Sequence, residues 1–281
     1  MRYLLGSAMT ILTLSGPAAA QIQPFGADPQ IVALDGVGLN QSTADAVEGF
    51  GPAQRLVDLF DLDQERATSY VAAALSEAWG YTSCTAPADC DIVEIPWNGD
   101  LSDGNDVRRA IDQAKAVLVE AAIGGSRAPI VLVAHSWGTI LAHVALSELD
   151  QEGFSPDAVT VVAALGSPIG AQCANPIRLA VLATEAGTPG ARLIGNEQAA
   201  IPATAATWLN VWTQTDILSG PVETADRNLR TLSGGDVDCG FRDLTRNSRR
   251  IYGAHLSYLG QELPSVTAAI IQSLDDRTSR R

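Results

Sequence analysis

Lysine is all but missing from this sequence. Among 281 residues Lys115 is the only one, and the other 17 basic side chains are arginines. Against 32 acidic residues this leaves a formal charge of −14. A chain this negative is repelled by phosphate backbones unless its cations gather into a patch. No basic cluster occurs, so nucleic acid is not an expected partner. A single lysine also leaves little scope for Schiff-base chemistry. Histidine is scarce, with His135, His143 and His255 the full set. The four cysteines form no C-x-x-C pair, and with so few imidazoles a zinc site is not expected. Past the first twenty residues every apolar run is cut by a charge, Gly or Pro before it could span a bilayer. Charged residues make up 18% and apolar ones 46%, a balance that belongs to globular rather than disordered chains.

The start of the chain reads as an address. Met1-Arg2 supplies positive charge, residues 3–14 are mostly apolar, Gly16-Pro17 breaks the run, and Ala18-Ala19-Ala20 offers small residues for cleavage. This predicts a signal peptide removed after Ala20 and a secreted or periplasmic protein. The apolar run is shorter than the ~18–20 residues of a membrane anchor. No cysteine follows Ala20 to carry a lipid. Losing the leader and its Arg2 leaves 261 residues and a charge of −15. That length suits one domain, residues 21–281, and a monomer is expected. In an oxidising compartment four cysteines imply two bridges. Of three connectivities, the preferred one is Cys84–Cys90, a small loop around Pro87, with Cys173–Cys239.

Strand-like and helix-like segments then alternate. Ile31-Val32-Ala33-Leu34 is a buried strand ending in the turn Asp35-Gly36-Val37-Gly38. Residues 65–79 carry Tyr70, Val71, Ala74, Leu75 and Ala78 at helical spacing. Strands are expected over 91–97, 130–133, 158–165 and 207–215, and helices over 107–122, 137–149 and 263–274. Pro264 is tolerated in a first helical turn. The segment 100–106 holds three aspartates but lacks the spaced glutamate of a calcium loop, and it reads as a helix start. Alternation of this kind predicts an α/β fold, a mostly parallel sheet with helices on both faces. Residues 170–206 are too long for an ordinary connection and are a candidate cap or lid.

The chemistry concentrates where the best strand meets a helix, at Ala134-His135-Ser136-Trp137-Gly138. A serine between small residues at a strand-to-helix turn is forced outward. The helix N-terminus beside it supplies backbone N–H donors. With its strand and helix, this motif resembles the nucleophile elbow of the α/β-hydrolase superfamily, in particular lipase- and esterase-like members with Ala in the first small position. The resemblance extends over residues 31–274. Gly166-Ser167-Pro168 after the next strand also resembles such relatives.

That superfamily carries its catalytic residues in the order Ser, acid, His. The resemblance therefore implies Ser136 as nucleophile and His255 as base. His255 comes late, just ahead of the closing helix. His135 adjoins the nucleophile with its side chain directed away, and His143 reads as a helix histidine. Asp216, at the carboxyl end of the penultimate strand, is the implied acid. Asp236 and Asp238 compete, being nearer His255 in sequence, although their glycine-rich setting beside Cys239 reads as a turn. Some relatives place the acid after the preceding strand, but residues 166–177 hold no carboxylate. The oxyanion donors implied are the backbone N–H groups of Trp137 and Val37. Asp35 stands where relatives often have histidine, and a carboxylate there must be hydrogen-bonded or turned away.

The resemblance thus implies a secreted serine hydrolase that cleaves carboxylic esters through an acyl-enzyme, with no metal or organic cofactor. Its partner would be a small-molecule or lipid-like ester. Two alternatives stay open: a binding protein that kept the fold and lost the chemistry, and an amidase or peptidase using the same triad. The acidic surface tilts the expectation from a membrane-adsorbing lipase toward an esterase on soluble or neutral substrates.

Overall fold

The computed structural model describes residues 29–36, 71, 74, 75, 78, 92–97, 99, 104–123, 128–155, 157–174, 190–231, 239 and 253–278. The expected leader, the Cys84–Cys90 pair, Val37, Asp236 and Asp238 lie outside them.

Six strands form one sheet: β1 (Gln30–Leu34), β2 (Ile92–Glu94), β3 (Ile130–His135), β4 (Val161–Leu165), β5 (Trp208–Trp212) and β6 (Arg227–Arg230). Their order is β2-β1-β3-β4-β5-β6, and every pairing is parallel. The central strands are short continuous apolar runs because both of their faces are covered. Alternate side chains go to opposite sides. Val32, Leu34, Leu132, Ala134, Val162 and Ala164 pack with α1 (Gly104–Ile123) and α2 (Trp137–Gln151). Ile31, Ala33, Val131, Val133, Val161 and Ala163 pack with Val71 and Leu75 of a helical segment and with Val266, Ile270 and Leu274 of α3 (Leu263–Thr278). The α/β class and the helices on both faces are therefore as the alternation predicted.

Element ends differ in instructive ways. β2 covers only three of the seven residues expected to be extended. β6 was not expected at all. Its sequence Arg227-Asn228-Leu229-Arg230 has one apolar residue, because an edge strand needs only half of its side chains to face protein. Arg227 instead reaches α3, donating to Ser273 Oγ at 2.9 Å and Gln272 Oε1 at 3.1 Å. The lone lysine is structural: Lys115 of α1 bonds Glu148 of α2 at 3.1 Å, and Arg108 pairs with the same carboxylate at 2.6 Å.

In the candidate cap, residues 190–206 form a packed connection along α2, while 175–189 lie outside the described residues. Ile194 and Ala199 are buried in the core. Ala200 carbonyl bonds His143 Nε2 at 2.9 Å. The Asp150 carboxylate at the end of α2 accepts from the N–H groups of Ala203 (2.6 Å) and Thr204 (2.7 Å). These contacts return the chain to the start of β5.

The junction of β3 with α2 depends on one close approach. A Cβ on Gly138 would lie 2.5 Å from the carbonyl oxygen of Leu34 and closer still to that of Asp35. Alanine would favour a helix interior by about 1 kcal/mol. Gly138→Ala is nevertheless expected to destabilise the fold by about 2 kcal/mol, since overpacking against backbone has no soft escape. Urea unfolding checks this, and an unchanged or raised midpoint would contradict the contact.

Candidate active site

β3 ends at His135, and the next residue bears the turn. Ser136 has φ 53° and ψ −126°, in the left-handed half of backbone space that a side chain rarely adopts. The strain persists because both flanks are held. Ser136 N–H donates to Leu165 carbonyl at 2.9 Å. Its own carbonyl accepts from Thr139 N–H (3.0 Å) and Thr139 Oγ1 (2.8 Å). Thr139 Oγ1 also bonds Ser167 Oγ at 2.7 Å, so the Gly166-Ser167-Pro168 turn after β4 braces the turn after β3.

The turn after β1 comes equally close. A Cβ on Gly36 would sit 2.6 Å from Ser136 Cβ and 3.2 Å from its Oγ, so only glycine fits there. Asp35 is buried, and its Oδ1 accepts from Val71 N–H at 3.1 Å. Its carbonyl accepts from Trp97 Nε1 at 3.1 Å. The Asp35 carboxylate is thus hydrogen-bonded. Trp137 opens α2, where a backbone N–H has no partner four residues back within its helix.

β5 delivers Asp216. The chain turns over 213–216, closed by Asp216 N–H to Thr213 carbonyl at 3.1 Å, and buries the carboxylate completely. Asp216 Oδ2 lies 2.8 Å from His255 Nδ1. The same oxygen accepts from Tyr258 hydroxyl at 2.9 Å, and Oδ1 accepts from Leu218 N–H at 3.0 Å. Burial pushes this carboxyl up. The His255 ring and the hydroxyls of Ser219 and Tyr258 together outweigh burial and hold it below the usual carboxylate range. His255 Nε2 is buried and has no hydrogen-bond partner among the described residues. The ring thus has one nitrogen anchored and the other unengaged.

The other histidines divide as their settings require. His143 is a core histidine, its Nε2 on Ala200 carbonyl and its ring edge-on to Trp208 with ring centres 5.7 Å apart, and burial lowers its pKa. His135 has a role the sequence did not reveal. Its ring lies 4.8 Å from that of His255, and its Nε2 bonds His255 carbonyl at 2.9 Å. Burial, then the neighbouring His255, drive its pKa down to about 3. It is a neutral prop under the histidine that Asp216 holds. Tyr258 was also overlooked. It stands three residues after His255, in a helical turn where such residues share a face, and that spacing was the available signal.

Cys173 and Cys239 form the expected disulfide, with Cα atoms 5.3 Å apart. Cys173 N–H donates to Ile217 carbonyl at 3.1 Å, and Gln172 Nε2 donates to Asp216 carbonyl at 3.1 Å. The bridge therefore secures the strip of chain that lies against the Asp216 loop. Among the described residues no group of His, Cys, Asp and Glu is arranged to hold a metal ion, and no helix is long and apolar enough to cross a membrane.

No protein-family model matches the chain, and no curated protein matches it. Among solved structures it is similar to the type II thioesterase BorB from the borrelidin biosynthetic cluster. The identity is 16%, the match covers 84% of this chain and 92% of that one, and the TM-score is 0.35. The parallel sheet, its strand order and its two helical layers are consistent with the α/β-hydrolase fold.

Two solution properties follow. With its folded pKa near 3 against 6.5 in the unfolded chain, His135 takes up a proton on unfolding between those values. Its share of stability is full above pH 6.5 and is lost as pH falls toward 3, with a slope of up to about 1.4 kcal/mol per pH unit. Urea unfolding at pH 6.5 and 4.5 should show a shallower pH slope in His135→Asn than in the native chain; equal slopes would refute the assignment. Replacing both Cys173 and Cys239 by Ser opens a loop with sequence separation 66. The expected loss is about 4 kcal/mol by loop entropy, read as a lower urea midpoint.

Proposed function

We propose that this chain is a serine hydrolase cleaving carboxylic esters, with Ser136 as nucleophile, His255 as general base and acid, and Asp216 as the orienting carboxylate. The observation that carries this reading is the 2.8 Å contact between buried Asp216 and His255 Nδ1, which leaves Nε2 unengaged at the same sheet edge as the strained Ser136. A carboxylate on Nδ1 sets the tautomer in which Nε2 accepts a proton, and it stabilises the imidazolium that results.

His255 Nε2 takes the Ser136 hydroxyl proton as Oγ attacks the ester carbonyl carbon. The carbonyl π electrons move to oxygen, and the backbone N–H groups of Trp137 and Val37 receive the oxyanion. Collapse re-forms the carbonyl and expels the alkoxide, which leaves with the proton from Nε2. Water then repeats the sequence on the acyl-enzyme, giving the acid and free Ser136. Every group needed is a protein group or water, so the proposal requires no metal or organic cofactor. The reading includes export, with residues 1–20 as the leader and an acidic, soluble enzyme beyond it. The acidity favours soluble or neutral esters over anionic lipid surfaces.

A fluorophosphonate probe, followed by kinetics on esters of increasing acyl length, tests the proposal. The native chain should label and Ser136→Ala should not. Asp216→Asn should lose on the order of a thousandfold or more in kcat, because the imidazole tautomer is no longer held. Asp236→Asn should lose little. Equal labelling of native and Ser136→Ala protein would refute the nucleophile, and a larger loss in Asp236→Asn would move the acid.

A further inference from the structure

We infer that Tyr258 is a positioning residue for the Asp216–His255 pair, a role that rests on the hydrolase reading above and deepens it. Tyr258 is fully buried, and its hydroxyl has a complete set of partners. It donates to Asp216 Oδ2 at 2.9 Å and accepts from Thr213 N–H at 2.9 Å. It also lies 3.0 Å from Ser219 Oγ. A phenol has one proton and can accept two bonds. Ionised Asp216 can only accept, so the phenol proton belongs to Asp216 and Ser219 is the donor in the remaining bond.

This arrangement does more than satisfy a buried hydroxyl. Thr213 N–H and Ser219 sit on either side of Asp216 in the chain, so Tyr258 ties down both ends of the loop that carries the acid. Its own proton lands on the oxygen that faces His255 Nδ1. Two donors on one oxygen define the plane of the carboxylate, and that plane aims the imidazole. The backbone gives the same juxtaposition a cause. Residues 253–256 are helical and continue into the turn Ser257–Leu259, which places His255 and Tyr258 on one face. Opposite them Gly166 leaves room for both: a Cβ there would be 2.7 Å from Tyr258 Cε2 and 3.2 Å from His255 Cε1 and Nδ1. Burial and the Asp216 charge raise the Tyr258 pKa above its usual value, so the phenol stays a donor throughout the working range.

The test is Tyr258→Phe in the full chain, measured beside Leu274→Ala, a core truncation in the C-terminal half of α3, and beside Ser136→Ala. All are assayed at a temperature where circular dichroism shows them folded. Tyr258→Phe is expected to lower kcat by about tenfold to a hundredfold with KM changed less than about twofold, the signature of a misaimed base rather than a damaged pocket. The downfield proton resonance of His255 Nδ1–H should move in Tyr258→Phe and stay in place in Leu274→Ala. If kcat and the resonance are both unchanged in Tyr258→Phe while Ser136→Ala loses labelling, the hydrolase reading stands and this inference is overturned. An activity loss in Tyr258→Phe that matches Leu274→Ala, with the resonance unmoved, assigns Tyr258 to packing alone and also overturns it. If Ser136→Ala still labels like the native chain, the hydrolase reading fails and the positioning role falls with it.

Discussion

A carboxylate stripped of water is tolerated only where donors replace its hydration, and Asp216, with no exposed surface, is such a group. Its neighbourhood is organised around that demand. Leu218 N–H takes one oxygen, and His255 and Tyr258 share the other. The loop that supplies Leu218 is bonded in turn to residues 172 and 173, and Cys173 is bridged to Cys239. The tyrosine and the histidine of the helical turn after residue 252 meet on this charge, while the disulfide-anchored strip holds the loop beneath it through the backbone carbonyls of Asp216 and Ile217.

The second constraint is steric. The left-handed Ser136 is held by Leu165 carbonyl on one side and Thr139 on the other, and three glycines make the space. Gly36 lets the turn after β1 touch the serine, Gly138 lets α2 press on the end of β1, and Gly166 admits Tyr258 and His255. These contacts join the carboxyl ends of β1, β3 and β4. The parallel register of the sheet brings those ends level with one another and with the end of β5, where Asp216 emerges.

Much of this was legible in the residues. Continuous apolar runs bounded by Gly or Pro marked β1, β3 and β4, because strands covered on both faces have no polar side to show, and β5 was read from a largely apolar stretch that an asparagine interrupts. Their helices were legible from spacing. β6 was not, since one leucine among two arginines and an asparagine carries no periodic signal, and Arg227 finds its partners 45 and 46 residues away. The long stretch before β5 looked like a cap because it exceeds the length of an ordinary connection. In 190–206 the structure binds it to α2 through Asp150 and His143, contacts between residues more than 50 apart.

The site divides in the same way. Sequence by itself singled out Ser136, because a serine between small residues where an apolar run meets a helical one is a local pattern. Of the three histidines, the resemblance pointed to His255, which comes late in the chain ahead of the closing helix. The sequence could rank Asp216 above Asp236 and Asp238 only by its place at the end of a strand and by their glycine-rich setting. The 2.8 Å contact with His255 came from the sheet, which sets the ends of distant strands side by side. Tertiary structure alone decided that Asp35 is bonded to Val71, that His135 props His255 as a neutral ring, and that Tyr258 joins Asp216. Local preferences act over a few residues. A buried polar group is paid for by whichever donor the fold brings within 3 Å, and no short stretch of chain encodes that partner.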